Sequence, residues 1–376
     1  MVTRLRVFGD GIRIIESGEL IIYKRWIERR PIKVGEMVEL IDETEEAMAC
    51  GLYDRIGVRI LSFSECPDSV SELLREKVET ARRIRERMGY MNVFRLINGD
   101  GDIFPGLIVD VYEDLAVLQS SSAAVDVHIS TIASLLKDIL NIRTAVEKSV
   151  QRVRSKAGLK PIERTIFGNQ KSKVVTVDVE GLKYKVDVRG RKTGLYLDQR
   201  ENRVFIKRFV RGESFLDLFS YTGGFGLNAL AGGAKRVTFV DNDAQALATL
   251  KENIRLNNFD IGYVEIVNAD AFKYLKRILN KREYGVSSID PPALMDDYPN
   301  GYTLYRTVYS LASLVTSHIL VPSSCSRSMS KDLFLRNIYE SIRENYRVLD
   351  IRGSSPDHPF RRGMEDYLKT AFIALE

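Results

Sequence analysis

The sequence predicts an α/β protein whose second half is a mostly parallel sheet covered on both faces. Three observations predict it. From about residue 190 strand and helix patterns alternate in strict turn. The strands are short, uninterrupted apolar runs, as expected for strands buried on both sides. Just beyond those runs stand glycines, acids and one cysteine. Ligands of such sheets bind outside the carboxyl ends of the strands.

Two blocks precede that half. Residues 1–68 read as a β-rich block in which "GELIIYKRWI" and "MVELIDE" are short strands. "GLYDRIGVRILSF" then alternates apolar and polar residues up to the polar break "SECPDS". Helical signals are few, so a small barrel or sandwich is expected. "SVSELLREKVETARRIRERMGY" has apolar residues at helical spacing amid dense charge, with Ser71 near its N-cap. Turns after Asn98 and at Glu113-Asp114 separate three strands. A helix near 126–140 and strands near 144–150 and 173–188 complete an α+β block over residues 69–189.

The third block, residues 190–376, opens with "TGLYLDQRENRVFIKRFV", which reads as one helix. Strands follow at "SFLDLFS", "RVTFVDND", "YVEIVNAD", "YGVSSID" and "HILVPSSC". Helices at "GLNALAGGA", "AQALATLKENIRLNN" and "AFKYLKRILNK" separate the first four.

The totals are those of an ordinary globular protein, with 44% hydrophobic and 28% charged residues in 376. No apolar run approaches the ~20 residues of a membrane span, and the N-terminus "MVTRLRVFGDG" lacks a signal-peptide core. Cys50, Cys66 and Cys325 show no paired spacing, which argues against a disulfide framework and a cysteine-bound metal. Free thiols in a reducing cytoplasm are the expectation. Residues 143–192 carry 14 basic and 5 acidic side chains, an excess suited to phosphate contacts or to solvated faces.

The strand ends define a candidate site. Asp217 lies inside the first strand, and Gly223, Gly224 and Gly226 follow in the turn to a helix, where glycine lets backbone approach a ligand. The spacing is neither a dinucleotide loop nor a Walker loop. Asp241, with Asn242 beside it, ends the second strand and suits ribose hydroxyls. Asp270 ends the third, within reach of an adenine amino group, with Ala271 and Phe272 adjacent; Asp290 ends the fourth. A nucleoside without a pyrophosphate fits this pattern, which favours S-adenosylmethionine over NAD.

"KTGLYLDQRENR" (192–203), "LDLFSYTGGFG" (216–226), "DPP" (290–292), "SCS" (324–326) and "DHP" (357–359) occur in that order. Together they resemble the large-subunit ribosomal RNA cytosine-C5 methyltransferase family. "PGLIVDVYEDLAVLQ" (105–119) and "KVGEMVELIDETEEAMACGLYDRIGVRIL" (33–61) extend the resemblance along the chain. It implies a PUA β-barrel, an α+β middle domain and a class I, Rossmann-like methyltransferase domain. It also implies that Tyr196 and Gln199 pack over the cofactor, and that residues 219–224, including Phe219, Ser220, Thr222 and Gly223, surround its methionyl part. Asp217, Asp241, Asp270 and Asp290 complete the carried-over site. The alternative for "YLDQRENR" is an amphipathic helix start, with Asp198 capping and Arg200 on the surface. Leu294 stands where the family has Phe, and "VTSHIL" lacks the usual Gly-Gly.

Alone, a cysteine at a strand end is more often core filling. The motifs around Cys325 make it the expected nucleophile, adding to carbon 6 of a cytosine whose edge Asp290 holds. His358, or a water on Asp290, remains a candidate base, and a purely structural His358 stays open beside it. RNA is the expected partner, recognised partly by the PUA-like block with the base extruded; a homodimer is left open. Two other functions compete: an exocyclic N-methyltransferase, for which Cys325 is dispensable, and a non-catalytic RNA-binding protein.

Overall fold

A computed structural model describes residues 2–169, 174–188, 194–279 and 284–376. The chain divides into two units. The first is Met1–Val175 with Asp187–Gly194 and Pro356–Arg362; the second is Thr176–Val186 with Leu195–Ser355 and Gly363–Glu376.

The first unit begins with β1 (Thr3–Arg6), α1 (Asp10–Glu16), β2 (Ile21–Tyr23), β3 (Met37–Ile41), β4 (Ala47–Asp54) and β5 (Gly57–Ser62). The sheet order is β1-β3-β4-β5-β2. Val7 bridges Ile27, and Phe8 N donates to the Trp26 carbonyl at 2.9 Å, so the two edges meet and the sheet closes as a barrel. Leu5, Val7, Ile22, Val38, Leu40, Val58 and Ile60 fill it. Neither β1 nor the seven-residue α1 is legible beforehand, because both are too short to establish a period.

The expectation of free thiols fails here. Cys50 and Cys66 form a disulfide, with Cα atoms 5.0 Å apart. The reason is register: Cys50 pairs with Ser62 across the β4–β5 ladder, which carries the chain beyond Ser62 back alongside β4. Spacing along the sequence does not contain that register. Cys325 is not part of a disulfide.

The unit continues with α2 (Val70–Arg87), β6 (Val93–Asn98), β7 (Leu107–Tyr112), β8 (Leu115–Ser120), α3 (Ala123–Leu140), β9 (Thr144–Ser149), α4 (Arg152–Lys156) and β10 (Ile162–Phe167). The second sheet runs β10-β9-β8-β7-β6. Ser69, not Ser71, caps α2, its Oγ accepting from Glu72 N at 3.2 Å. Leu96, Val109, Leu118, Ile132 and Leu136 lie at the centre of this core. β10 and α4 went unforeseen, β10 because an exposed edge strand shows no continuous apolar run.

Part of the basic excess serves this core. Arg154 is buried and holds Asp126 through two bonds of 2.7 and 2.8 Å, and buried Lys148 donates to the Val188 carbonyl at 2.7 Å. Lys171, Lys173, Arg189, Arg191 and Lys192 lie outside the described residues.

The paired strands β11 (Val174–Val179) and β12 (Leu182–Asp187), most of whose residues belong to the second unit, precede α5 (Arg200–Phe205). Short 3-10 turns at Leu197–Gln199 and Ile206–Arg208 flank α5, so the expected single helix is broken in two places. The main sheet contains β13 (Ser214–Leu218), β14 (Arg236–Asp241), β15 (Val264–Asn268), β16 (Tyr284–Ile289), β17 (Thr316–Ser324), β18 (Tyr346–Arg352) and β19 (Lys369–Leu375). Its helices are α6 (Gly224–Ala231), α7 (Ala244–Leu256), α8 (Ala271–Ile278), α9 (Leu294–Asp297), α10 (Gly301–Ser313) and α11 (Lys331–Ser341).

The strand order is β15-β14-β13-β16-β17-β19-β18. β13 to β17 are parallel, whereas β19 runs antiparallel to both β17 and β18. The chain winds outward from β13 to β15 and then returns to β16 on β13's other side. That reversal leaves a crevice at the carboxyl ends of β13 and β16, the switch point where ligands bind.

Candidate active site

Asp217 is buried near the end of β13. Its Oδ2 accepts from Gly226 N at 2.8 Å and its Oδ1 from Ser288 Oγ at 2.9 Å, which ties the start of α6 to β16. Burial outweighs those bonds and pushes its carboxyl up to about 7. Both oxygens are thus engaged by the protein itself. Gly224 and Gly226 also serve packing: a Cβ at Gly226 would lie 2.1 Å from the Phe239 ring, and one at Gly224 2.4 Å from Arg203 Nε.

The turn after β13 is wound tightly. Phe219 and Tyr221 adopt φ of 60° and 48°, and Gly223 follows at 93°. Left-handed backbone at two aromatic residues costs energy and clusters at functional sites. Between them Ser220 Oγ is buried without a hydrogen-bond partner. Thr222 is buried beside it, and its carbonyl accepts from Asn253 Nδ2 at 3.0 Å.

The other strand ends close round this turn. Asp241 accepts from Tyr221 N and Asp243 N, each at 2.8 Å, while Asn242 is exposed. Asp270 caps α8 through Lys273 N at 2.9 Å, with Ala271 buried behind it. Phe272 meets Phe219 edge to face with centroids 6.3 Å apart. Tyr196 packs edge-on against Tyr221 at 5.1 Å. A buried unpaired hydroxyl, acids at three strand ends and a flanking aromatic pair fit a nucleoside ligand with hydroxyl and amino groups.

The "YLDQRENR" segment is not a surface helix start. Arg200 is buried, and Asp198 accepts from the Tyr367 hydroxyl at 2.8 Å instead of capping α5. Gln199 is buried and donates from Nε2 to Asp290 Oδ1 at 3.0 Å. Asn202, which the sequence does not single out, donates to Gln199 Oε1 at 2.7 Å.

Cys325 follows β17 directly, half-buried, with its Sγ 3.8 Å from the Pro291 carbonyl. The structure therefore brings Cys325 and Asp290 to neighbouring loops. Tyr305 joins those loops. Its hydroxyl donates to the Pro292 carbonyl at 3.1 Å, accepts from Leu294 N at 3.3 Å and bonds Ser326 Oγ at 3.0 Å. Tyr309, one turn on, donates to the Ser323 carbonyl at 2.6 Å. Burial raises both phenols, which keeps them protonated. Leu294, the departure from Phe, is buried in the core of this unit.

His358 belongs to the first unit, in the segment Pro356–Arg362. It is buried there with Nδ1 2.8 Å from Asp357 Oδ1, and the other Asp357 oxygen accepts from Arg95 N at 2.9 Å. Arg85 pairs with Asp102 at 2.5 and 2.8 Å and donates to the Asp357 carbonyl at 2.8 Å. These bonds match the structural alternative for His358. Among the described residues no helix is long and apolar enough to cross a membrane.

Comparison with known proteins agrees with this architecture. Residues 167–337 match the S-adenosylmethionine-dependent methyltransferase family, and residues 5–63 match the PUA-like domain. A "Putative ribosomal RNA large subunit methyltransferase" of Methanocaldococcus jannaschii is 34% identical over 100% of this chain and 99% of its own. Ribosomal RNA large subunit methyltransferase I of Pseudoalteromonas translucida is 31% identical over 89% of this chain and 90% of its own. Among solved structures, a "putative methyltransferase complexed with SAH" superposes with a TM-score of 0.82 at 20% identity, covering 100% of both chains. S-adenosylmethionine is accordingly the cofactor, and the chain belongs to the family of PUA-containing, S-adenosylmethionine-dependent methyltransferases that includes ribosomal RNA large subunit methyltransferase I.

Proposed function

We propose that this protein methylates carbon 5 of a cytosine in large-subunit ribosomal RNA, with Cys325 as nucleophile. The observation that carries the reading is the 3.8 Å approach of the Cys325 thiol to the Pro291 carbonyl, next to an Asp290 that Gln199 holds in place. The relatives' names supply the ribosomal RNA, and the PUA-like barrel is a module suited to RNA shape and backbone.

Carbon 5 of cytosine is a weak nucleophile. The Cys325 thiolate adds to carbon 6, forming a carbon–sulfur bond and shifting the π-electrons toward carbon 5. Asp290 bonds the cytosine edge and favours protonation at N3, which draws electron density from the ring as sulfur attacks. When bound, the sulfonium cofactor supplies an electrophilic methyl group. Once carbon 5 carries the methyl, a water held by Asp290 takes the carbon-5 proton; those electrons re-form the ring double bond and expel the Cys325 thiolate, and N3 gives its proton back. Tyr196, Phe219, Ser220, Thr222 and Gly223 would hold the methionyl side of the cofactor, Asp241 and Asn242 its ribose, and Asp270 and Ala271 its adenine. Asp217 supports that wall from within.

RNA containing 5-fluorocytosine, incubated with the protein and S-adenosylmethionine, tests the reading. Fluorine at carbon 5 cannot leave as a proton does, so the adduct should persist as a covalent protein–RNA complex that Cys325→Ser abolishes. Methyl transfer without a complex would establish exocyclic N-methylation instead. RNA binding with neither would establish a binding protein.

A further inference from the structure

Lys369 opens β19 opposite Ser324, the last residue of β17 and the neighbour of Cys325. Its side chain is buried, and the ammonium donates to the carbonyl of Met329 and, at 3.5 Å, to that of Tyr367. Met329 closes the loop that Cys325 opens. One cation is therefore tied to the far end of the nucleophile's loop while its strand runs beside the near end.

The ammonium's hydrogen bonds go to neutral carbonyls, a costly arrangement in a protein interior unless an anion shares the space. Burial pulls the Lys369 ammonium below the ordinary lysine range, and the anionic groups that act against that pull are, in decreasing order, Glu365 and Asp366 on the segment before β19, Asp296 on α9 and the Cys325 thiol. Asp296 already accepts from Arg327 N at 2.8 Å, Ser328 N at 3.1 Å and Ser328 Oγ at 2.5 Å. Asp366 accepts from Ser354 N, Ser354 Oγ and Leu368 N at 2.6, 3.0 and 3.0 Å, and Glu365 from Lys331 N at 3.3 Å. The thiol also interacts electrostatically with Tyr305 and Tyr309, both held protonated, and Asp290 acts on Tyr309 as well. The Asp290 carboxylate opposes a second anion at Cys325. A nearby cation offsets that opposition.

We propose that the Lys369 ammonium keeps Cys325 in its thiolate form at neutral pH, as a positioning residue that acts on the sulfur through space and on its loop through Met329. The proposal rests on Cys325 being the nucleophile. The thiol proton passes to solvent, leaving an ammonium–thiolate pair. The pair loses its anion when the sulfur's electrons bond carbon 6 and regains it on elimination.

Alkylation of Cys325 by iodoacetamide, followed by mass spectrometry from about pH 5 to about pH 9.5, reads the thiolate without any RNA. With Cys50 and Cys66 joined, one sulfur reports. The wild-type rate should titrate well below the ~8.5 of an ordinary thiol. Lys369→Met and Lys369→Gln should move the inflection upward and slow alkylation about tenfold at neutral pH, with the high-pH plateau kept; Lys369→Arg should restore the wild-type profile. Retained S-adenosylmethionine binding shows each variant folded, and Gln decides where Met does not fold. An unchanged inflection in Met and Gln overturns the proposal, as does a lowered plateau with the inflection in place, which is loss of access alone. A shifted inflection without 5-fluorocytosine trapping leaves Lys369 standing and removes the carbon-5 reading.

Discussion

Gln199 donates to Asp290 at 3.0 Å across 91 positions of sequence. Its own carbonyl accepts from Asn202, which also donates to the Gly353 carbonyl at 3.0 Å. Two neutral amides thus aim one carboxylate at the crevice and link three distant stretches of chain. An amide fixes the direction of a carboxylate without neutralising it, as is required where Asp290 must still meet a base edge.

Gln199→Leu keeps the bulk and removes the bond. We expect methyl transfer to fall more than tenfold while S-adenosylmethionine affinity changes by less than about threefold, with a stability loss of about 1–3 kcal/mol for the polar groups deprived of a partner. Steady-state kinetics beside calorimetric cofactor titration separate the two. A loss confined to cofactor affinity would place Gln199 on the cofactor rather than on Asp290.

Asp217 gives a pH signature. Its carboxyl titrates near 3.8 in the unfolded chain and near 7 in the folded one. Between those values the folded state keeps a proton that the unfolded state has lost, so the group's contribution to stability declines as pH rises through that window. Asp217→Asn does not titrate. Its Tm relative to wild type should therefore rise between about pH 5 and about pH 8. A constant difference in thermal melts would mean that Asp217 is ionised throughout.

Ser220→Ala should act in opposite directions on the two states of the protein. A buried hydroxyl without a partner costs about 1–3 kcal/mol, so its removal stabilises the ligand-free protein. If that hydroxyl serves the cofactor, affinity should drop about three- to tenfold. Melts with and without S-adenosylmethionine reveal both, and higher stability with unchanged affinity would remove Ser220 from the site.

The Cys50–Cys66 bridge closes a loop with a sequence separation of 16. A loop of that size confers about 3 kcal/mol by restricting the unfolded chain. Reductant should lower the Tm of the wild type by several degrees and leave the double variant Cys50→Ala, Cys66→Ala unchanged. An identical response in both would show that the bridge contributes nothing to stability.

The α/β half was legible because local period carries it: buried parallel strands are short apolar runs, and the helices between them repeat every three to four residues. The acids at the ends of β14, β15 and β16 were visible for the same reason, since a residue that ends a strand is marked by where the run stops. Short or interrupted elements were not. α1 has too few residues to set a period, β10 is an exposed edge strand without an apolar run, and the segment from Tyr196 to Arg208 is broken by 3-10 turns around Gln199 and Ile206. What Gln199 touches was likewise beyond reach.

Asp290 and Cys325 stand just after apolar strands and Asp217 is a lone acid inside one, and all three fall within an ordered set of motifs. Tyr305 and Lys369 do not, because each is an ordinary residue in its own stretch, and Asn202 and Ser326, though inside quoted motifs, carry no sign there of what they bond. Their significance comes from register and packing: β19 sets Lys369 opposite Ser324, α10 turns the Tyr305 hydroxyl between two loops, and β4 against β5 sets the register that brings Cys66 to Cys50. Short-range periodicity is written residue by residue along a chain. The partners of a hydrogen bond or a disulfide are chosen by how distant segments pack, and that information exists only once the chain has folded.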